Sequence, residues 1–215
     1  MGLLSIIRKQ QIRDQEIRVL VLGLDNAGKS TIVSQLMRGG GNPNQEVDIC
    51  CAPTIGFEIN SVKINGKLIN IWDVGGQDTL RPYWDNYFIG GGGGGRQMLV
   101  WCVDVSAVGR VRLRESIDEL KKLVDAITND DSAGDENGCR VLVVGNKVDL
   151  CEDDPGVVER ELEHTLCTEI GTSCGDGPAP TAPATATATQ LEMKVVTVSG
   201  ITGYGISRLE AEIAG

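Results

Sequence analysis

The sequence predicts an α/β domain: a mostly parallel six-stranded sheet with one antiparallel edge strand and helices on both faces. Three observations predict it. Short, wholly apolar runs recur along the 215-residue chain, as expected of strands buried on both sides. Segments with apolar residues at helical spacing alternate with them. One pair of strand-like runs is separated only by Asn65-Gly66, a dipeptide suited to the positive φ angles of a type I′ hairpin turn.

The elements follow in order. Val19–Leu22 is a short apolar strand. Lys29–Arg38 follows as a helix, with Ile32, Val33, Leu36 and Met37 on one face. Phe57–Ile64 and Lys67–Val74 are the arms of the hairpin, and Met98–Val103 is a buried strand. Leu113, Ile117, Leu120, Val124 and Ile127 recur at alternating spacings of four and three, the signature of a core-facing helix. Val141–Val144 is another buried strand. Pro155 suits the first position of the next helix, whose inward residues are Leu162, Leu166 and Ile170. Val195–Val198 is the last strand, and Ile206, Leu209 and Ile213 mark a short final helix.

Composition narrows the function. Hydrophobic residues make up 41% and charged residues 23%, which suits a soluble globular chain. The formal net charge of -10 repels phosphate backbones and argues against nucleic acid as a partner. A phosphate ligand must then be held locally, by backbone N–H groups and a few placed cations. Seven cysteines without a metal-type CxxC pair read as reduced thiols of a cytosolic protein. The longest apolar run is far too short to span a bilayer, and the N-terminus lacks the apolar core of a secretory signal. Four stretches read as inserted surface loops: Gly39–Asn44, the six glycines Gly90–Gly95, the polar Asp130–Gly138 and the Gly/Pro/Ala/Thr tract Gly171–Thr189. None holds enough apolar surface to offset the entropy of ordering.

Five constellations carry chemistry. The first is Gly23-Leu24-Asp25-Asn26-Ala27-Gly28-Lys29-Ser30, which fits G-x-x-x-x-G-K-[ST] and sits between a strand and a helix. Its backbone N–H groups, from Asn26 to Thr31, can converge on phosphate at a helix N-terminus. Gly28 allows close approach, Lys29 can reach the β- and γ-phosphates, and the Ser30 hydroxyl can ligate Mg²⁺. The second is Asn146-Lys147-Val148-Asp149, at the carboxyl end of a parallel strand, where ligands of open sheets bind. Asp149 can accept from guanine N1–H and the 2-amino group. Adenine lacks both donors and would leave the carboxylate unpaired. Asn146 can either bind the base's other edge or brace the phosphate loop, and the Lys147 stem can lie along the ring.

The third is Trp72-Asp73-Val74-Gly75-Gly76-Gln77. Asp73 can hold Mg²⁺ through a water, the Gly76 N–H can bind the γ-phosphate, and Gln77 can orient the attacking water. The fourth is Pro53-Thr54, whose threonine can give its hydroxyl to Mg²⁺ and its N–H to the γ-phosphate. The fifth is Val198-Ser199-Gly200-Ile201-Thr202, where the N–H groups of Ser199, Gly200 and Ile201 can bind guanine O6. No arginine in the phosphate or switch loops presents itself as an internal finger. An activating protein is therefore expected to supply one.

The phosphate loop, the PTIGF and WDVGGQ segments and the RPYWDNYF run after them resemble the ADP-ribosylation-factor (Arf) family of small GTPases. The resemblance is close from Met1 to about Phe88 and looser thereafter. It implies the P-loop NTPase small-GTPase fold, with residues 1–17 an N-terminal amphipathic helix and lead-in. Residues 18–215 would be the GTPase domain, with low-complexity insertions near 39–52, 90–96, 129–139 and 171–190. It implies GTP and GDP as ligands with Mg²⁺, held directly by Ser30 and Thr54. It also implies slow hydrolysis with Gln77 and Lys29 as catalytic residues, and Phe57, Trp72 and Tyr87 as an aromatic triad that reports nucleotide state. The implied partners of a monomeric switch are effectors, an activating protein and an exchange factor. One Arf-like subgroup releases lipidated cargo from carriers into cilia, and a sibling engages tubulin-folding cofactors. The implied setting is cytoplasmic, at the cilium or flagellum and at microtubules. Leu3, Leu4, Ile6 and Ile7 beside Arg8 and Lys9 suit weak or transient membrane contact. Ile6 stands where a myristoylation signal wants Ser or Thr.

Departures from the family pattern are Val148 in the base motif, Gly200 where alanine is usual, a longer loop before Thr54 and an early end to the last helix. The longer loop motivates an alternative: a GTP-dependent scaffold that scarcely hydrolyses. An ATP-dependent P-loop enzyme is disfavoured by Asn146 and Asp149.

Overall fold

The computed structural model describes residues 16–39, 53–89, 96–128, 140–171 and 192–215. The expected N-terminal helix and most of each inserted stretch lie outside those residues. The strands are β1 (Glu16–Leu22), β2 (Phe57–Ile64), β3 (Lys67–Val74), β4 (Arg96–Asp104), β5 (Arg140–Asn146) and β6 (Glu192–Thr197). They form one six-stranded sheet in the order β2-β3-β1-β4-β5-β6. Only the β2–β3 pair is antiparallel. Asn65 and Gly66 take φ values of 50° and 80° at its turn, so the hairpin closes as the dipeptide dictates.

The helices are α1 (Lys29–Met37), α2 (Trp84–Ile89), α3 (Ala107–Arg110), α4 (Leu113–Thr128), α5 (Pro155–Ile170) and α6 (Ile206–Ala214). Alternate residues of each central strand feed two cores, because successive side chains point to opposite faces. Val19, Val21, Val100 and Val144 pack with Ile32 and Leu36 of α1 and Leu209 and Ile213 of α6. Leu20, Leu22, Trp101 and Val143 pack with Trp84 of α2, Leu120 and Val124 of α4, and Leu162 and Leu166 of α5. Both faces are therefore covered, and the strands read as continuous apolar runs for that reason.

Strand starts are where apolar runs mislead. β1 begins at Glu16, ahead of the predicted Val19, because Ile17 and Arg18 pair with Ile69 and Asn70 of β3. Arg18 can sit in the sheet because its guanidinium lies 4.0 Å over the Trp72 ring and donates to the Tyr87 carbonyl at 3.0 Å. At the other end of the sheet, β6 stops at Thr197, one residue before the predicted Val198. Three short elements lack a periodicity to read: α3, the 3₁₀ turn Arg81–Tyr83 and the 3₁₀ turn Val148–Leu150. Local chemistry sets the first two. The Ser106 hydroxyl caps α3 by accepting from the Gly109 N–H, and Pro82 opens the turn before α2. Asp154 caps α5 just ahead of Pro155, and Gly171 ends it at φ 74°. Among the described residues no helix is long and apolar enough to cross a membrane.

Five of the six strands run the same way, so their carboxyl ends emerge on one edge of the sheet. Gly23–Ser30 follows β1, Gly75–Gln77 follows β3, Asn146 closes β5 and Ser199 follows β6.

Candidate nucleotide site

The loop between β1 and α1 is held open by unusual backbone. Asn26 takes φ 61° and Gly28 φ 87°, both left-handed. The sequence assigns the Gly28 position to phosphate approach, and the structure adds a neighbour. A Cβ at Gly28 would lie 2.2 Å from the Asn146 side-chain nitrogen. That amide is the brace between two loops. It donates to the Ala27 carbonyl at 2.8 Å and accepts from the Gly200 N–H at 3.0 Å. Asn146 is 2% exposed, so of its two expected roles the structural one is occupied. The same loop is tied from below by Cys102, whose thiol donates to the Ala27 carbonyl at 3.2 Å. Burial pushes that thiol up to about 12, so it is a neutral packing group.

This brace changes the reading of Ser199–Ile201. The Gly200 N–H, expected at guanine O6, is already given to Asn146, and the Ser199 N–H goes to the Tyr204 carbonyl at 3.0 Å. Ile201 is the remaining donor of the three. Gly200 is further fixed through its carbonyl, which accepts from Gln35 at 2.9 Å. A Cβ there would come within 3.1 Å of the Thr31 methyl, so glycine gives the close fit. Beside this corner Lys147 stands at φ 71° and donates to Asp104 at 2.8 Å. The carboxylate of Asp149 is exposed, in the 3₁₀ turn that follows.

The opposite end is built from hydroxyls and charge. Lys29 is 6% exposed and donates to the Gly23 and Leu24 carbonyls at 2.9 and 2.8 Å. Burial pushes its pKa down. The Ser30 and Thr54 hydroxyls meet at 2.8 Å. Asp73 is 1% exposed. Burial raises its carboxyl, against the pull of the Ser30 hydroxyl and of Lys29, and its Oδ1 has no hydrogen-bond partner. Gly76 lies against the phosphate loop itself: a Cβ there would fall 2.4 Å from the Asp25 nitrogen and 2.5 Å from the Gly23 carbonyl oxygen. Gln77 is exposed beside it. Gly75 joins the segment after β3 to the segment before β2 by donating to the Gly56 carbonyl at 2.8 Å, and Trp84 donates to the Gly75 carbonyl at 3.2 Å. Phe57 stacks on Trp72 and meets Tyr87 edge-on, each at 5.6 Å between centroids.

Two arginines reach this end that the sequence did not place there. Arg81 and Arg112 both donate to the Asp25 carboxylate, at 3.3 and 2.9 Å. Arg81 belongs to the RPYWDNYF run, so its neighbourhood was marked. Arg112 is 87 positions from Asp25, and no local pattern links them. Both guanidiniums are already paired with carboxylates, so neither presents itself as an internal finger.

Comparison with known proteins places this arrangement. The model of the ADP-ribosylation factor family matches residues 3–209. The chain is 41% identical over 172 residues to ADP-ribosylation factor-like protein 2 of Drosophila melanogaster, covering 79% of each. It is 39% identical over 150 residues to the protein of that name in Arabidopsis thaliana, covering 70% of each. Among solved structures, the Arl6 small GTPase of Trypanosoma brucei with a bound nucleotide analogue superposes with a TM-score of 0.63. That match has 18% identity over 92% of this chain and 95% of that one. The mammalian SRP receptor gives 0.62 at 19% identity, over 92% and 98%. These two likenesses carry the fold alone. The family match and the identities carry more: the chain is a GTP-binding, GTP-hydrolysing switch protein of the ADP-ribosylation factor family.

Proposed function

We propose that Gly23–Thr31 cradles the phosphates of GTP and GDP, that Asp149 selects guanine, and that Thr54, Gly76 and Gln77 sense the γ-phosphate. The observation that carries this reading is the meeting of Ser30 and Thr54 hydroxyls at 2.8 Å beside a buried Asp73 whose Oδ1 is unpartnered. Two hydroxyls and a carboxylate are the hard oxygen donors that suit Mg²⁺. Ser30 and Thr54 would hold it directly, and Asp73 through a water. Bound there, the ion would neutralise charge on the β- and γ-phosphate oxygens.

The chain's own residues do the rest. Lys29 places a fixed positive charge at the loop, and little reorganisation is needed because it is already buried and anchored. Gln77 orients a water in line with the bond to the β-phosphate oxygen. That bond breaks as the water oxygen attacks phosphorus, leaving GDP and inorganic phosphate. Arg81 and Arg112 are engaged by Asp25 and Glu115, so an activating protein's arginine is still expected to raise the rate by about 10³–10⁵. Single-turnover GTP hydrolysis with and without activator, for wild type and Gln77→Leu, tests this. Equal slow rates in all four would favour the scaffold reading.

The output we infer is partner binding through the exposed switch face, with effectors, an activating protein and an exchange factor as the partners of a monomer. The start MGLLSIIRK, the DQEIRVL lead-in and RPYWDNYF support a role like that of Arf-like protein three: release of lipidated cargo from carrier proteins, in the cytoplasm and at the cilium or flagellum. The identity to relatives named ADP-ribosylation factor-like protein 2 favours a second reading, tubulin-folding cofactors and microtubules. A pull-down with GTP-loaded Gln77→Leu, scored for lipid carriers against tubulin cofactors, separates the two. Recovery of neither contradicts both. The residues expected to contact a membrane weakly, 1–17, are tested by vesicle sedimentation of the full chain with and without residues 2–9.

A further inference from the structure

Asp25 poses a problem of charge. Its carboxylate is part of a loop whose backbone is shaped to receive phosphates, which are themselves anionic. The structure surrounds it with two guanidiniums. Its Oδ1 accepts from Arg112 at 2.9 Å and from Arg81 at 3.3 Å. Arg112 also donates to the Asp25 carbonyl at 3.4 Å. Both arginines bind Glu115, Arg81 at 2.7 Å and Arg112 at 2.9 and 3.2 Å. Arg81 further pairs with Asp78 and donates to the Gly76 carbonyl at 3.3 Å. Arg81 is the more buried cation, with a side chain 10% exposed against 39% for Arg112.

The location gives this cluster meaning. Gly76 packs against the backbone of Asp25, so Asp25 lies where the segment after β3 reaches the phosphate loop. No residue of the guanine corner takes part. An uncompensated carboxylate there would repel the γ-phosphate more than the two inner phosphates, because Coulomb repulsion falls with distance.

We propose that Arg112, assisted by Arg81, is a positioning residue that holds the Asp25 carboxylate away from the phosphate path and so sets the preference between GTP and GDP. The proposal rests on reading Gly23–Ser30 as the phosphate loop and Gly76 as its γ-phosphate neighbour. Glu115 tempers the device by sharing both guanidiniums, so that Asp25 competes for them with a second carboxylate.

The test uses the full chain with excess Mg²⁺. Affinities for fluorescent GDP and for a fluorescent non-hydrolysable GTP analogue are measured at low and high salt. Arg112→Gln is expected to weaken the GTP analogue about tenfold more than GDP, roughly 1.4 kcal/mol of discrimination. The difference should shrink at high salt, because the Asp25–Arg112 pair is partly exposed. Adding Asp25→Asn to that variant should restore the wild-type ratio. A purely structural role for Arg112 would weaken both nucleotides alike and would not respond to Asp25→Asn, and that result overturns the proposal. If Arg112→Gln does not fold, Asp25→Asn alone carries the test. It should raise affinity for the GTP analogue relative to GDP, and an unchanged ratio overturns the proposal. Lys29→Ala distinguishes the underlying reading. If it leaves both affinities intact, the phosphate-loop assignment itself fails. If it abolishes them while Arg112→Gln leaves their ratio unmoved, only the present inference fails.

Discussion

The two ends of the proposed nucleotide site are built on different principles. The proposed guanine corner is fixed by buried neutral hydrogen bonds: Asn146 spans Ala27 and Gly200, and Gln35 holds Gly200 from the other side. The proposed γ-phosphate end is held by hydroxyls, glycine contacts and ion pairs, of which the Arg112 pairs with Asp25 and Glu115 are partly exposed. Buried networks are costly to leave half-made, whereas exposed pairs are weak and screened. On the proposed assignment the base end is therefore a rigid reader. The phosphate end can rearrange when a ligand changes, as a switch requires.

Breaking the rigid end should give the largest effect. Asn146→Ala leaves the Gly200 N–H without its partner and the Ala27 carbonyl with only the Cys102 thiol, a cost of about 1–3 kcal/mol. Denaturant unfolding should register that loss, and affinity for GDP should fall with it. A stability within 1 kcal/mol of wild type would mean that ordered water replaces the brace. At the switch end the expectation is reversed: Gln77 is exposed, so Gln77→Leu should leave the melting midpoint unmoved. It should nevertheless slow activator-stimulated hydrolysis by about 10²–10⁴-fold.

Smaller effects sharpen the same contrast. Phe57 is 46% exposed and is held by two ring contacts, so Phe57→Ala should cost about 1 kcal/mol or less. Effector capture by the GTP form should be lost all the same. The smallest effect concerns acid. Arg112 and then Arg81 hold the Glu115 carboxyl down, at about 2, and Arg112 likewise lowers Asp25. A depressed carboxyl contributes stability that is present above its unfolded value and lost as pH falls toward the folded one. Wild type should thus lose more thermal stability between pH 6 and pH 3 than Glu115→Gln does. Asp73 works in the opposite sense, since burial raises it, and it offsets part of the loss. Equal acid sensitivity in the two proteins would show that the ion pairs contribute nothing measurable.

The sheet and its hairpin were legible because their causes are local. Apolar runs mark strands covered on both faces, and Asn65-Gly66 marks the turn. The proposed phosphate loop and the Asn146–Asp149 motif could be picked out in sequence because their residues are contiguous. What escaped was produced by folding together distant segments. Asn146 offered two roles in sequence, and its contacts with Ala27 and Gly200 show the bracing one. Nothing local reveals that the Gly200 N–H, expected at guanine O6, donates to Asn146. Arg112 stands in an ordinary helix-start pattern, and its meaning depends on Asp25 across the sheet edge.

The contrast between a fixed base reader and a movable phosphate sensor is tested most directly by hydrogen exchange of the full chain, loaded in turn with GDP and with a non-hydrolysable GTP analogue. Amide protection should change at residues 54–58 and 75–83 and stay constant at 144–146 and 197–200. Equal changes at both ends, or a change confined to 197–200, would contradict the account.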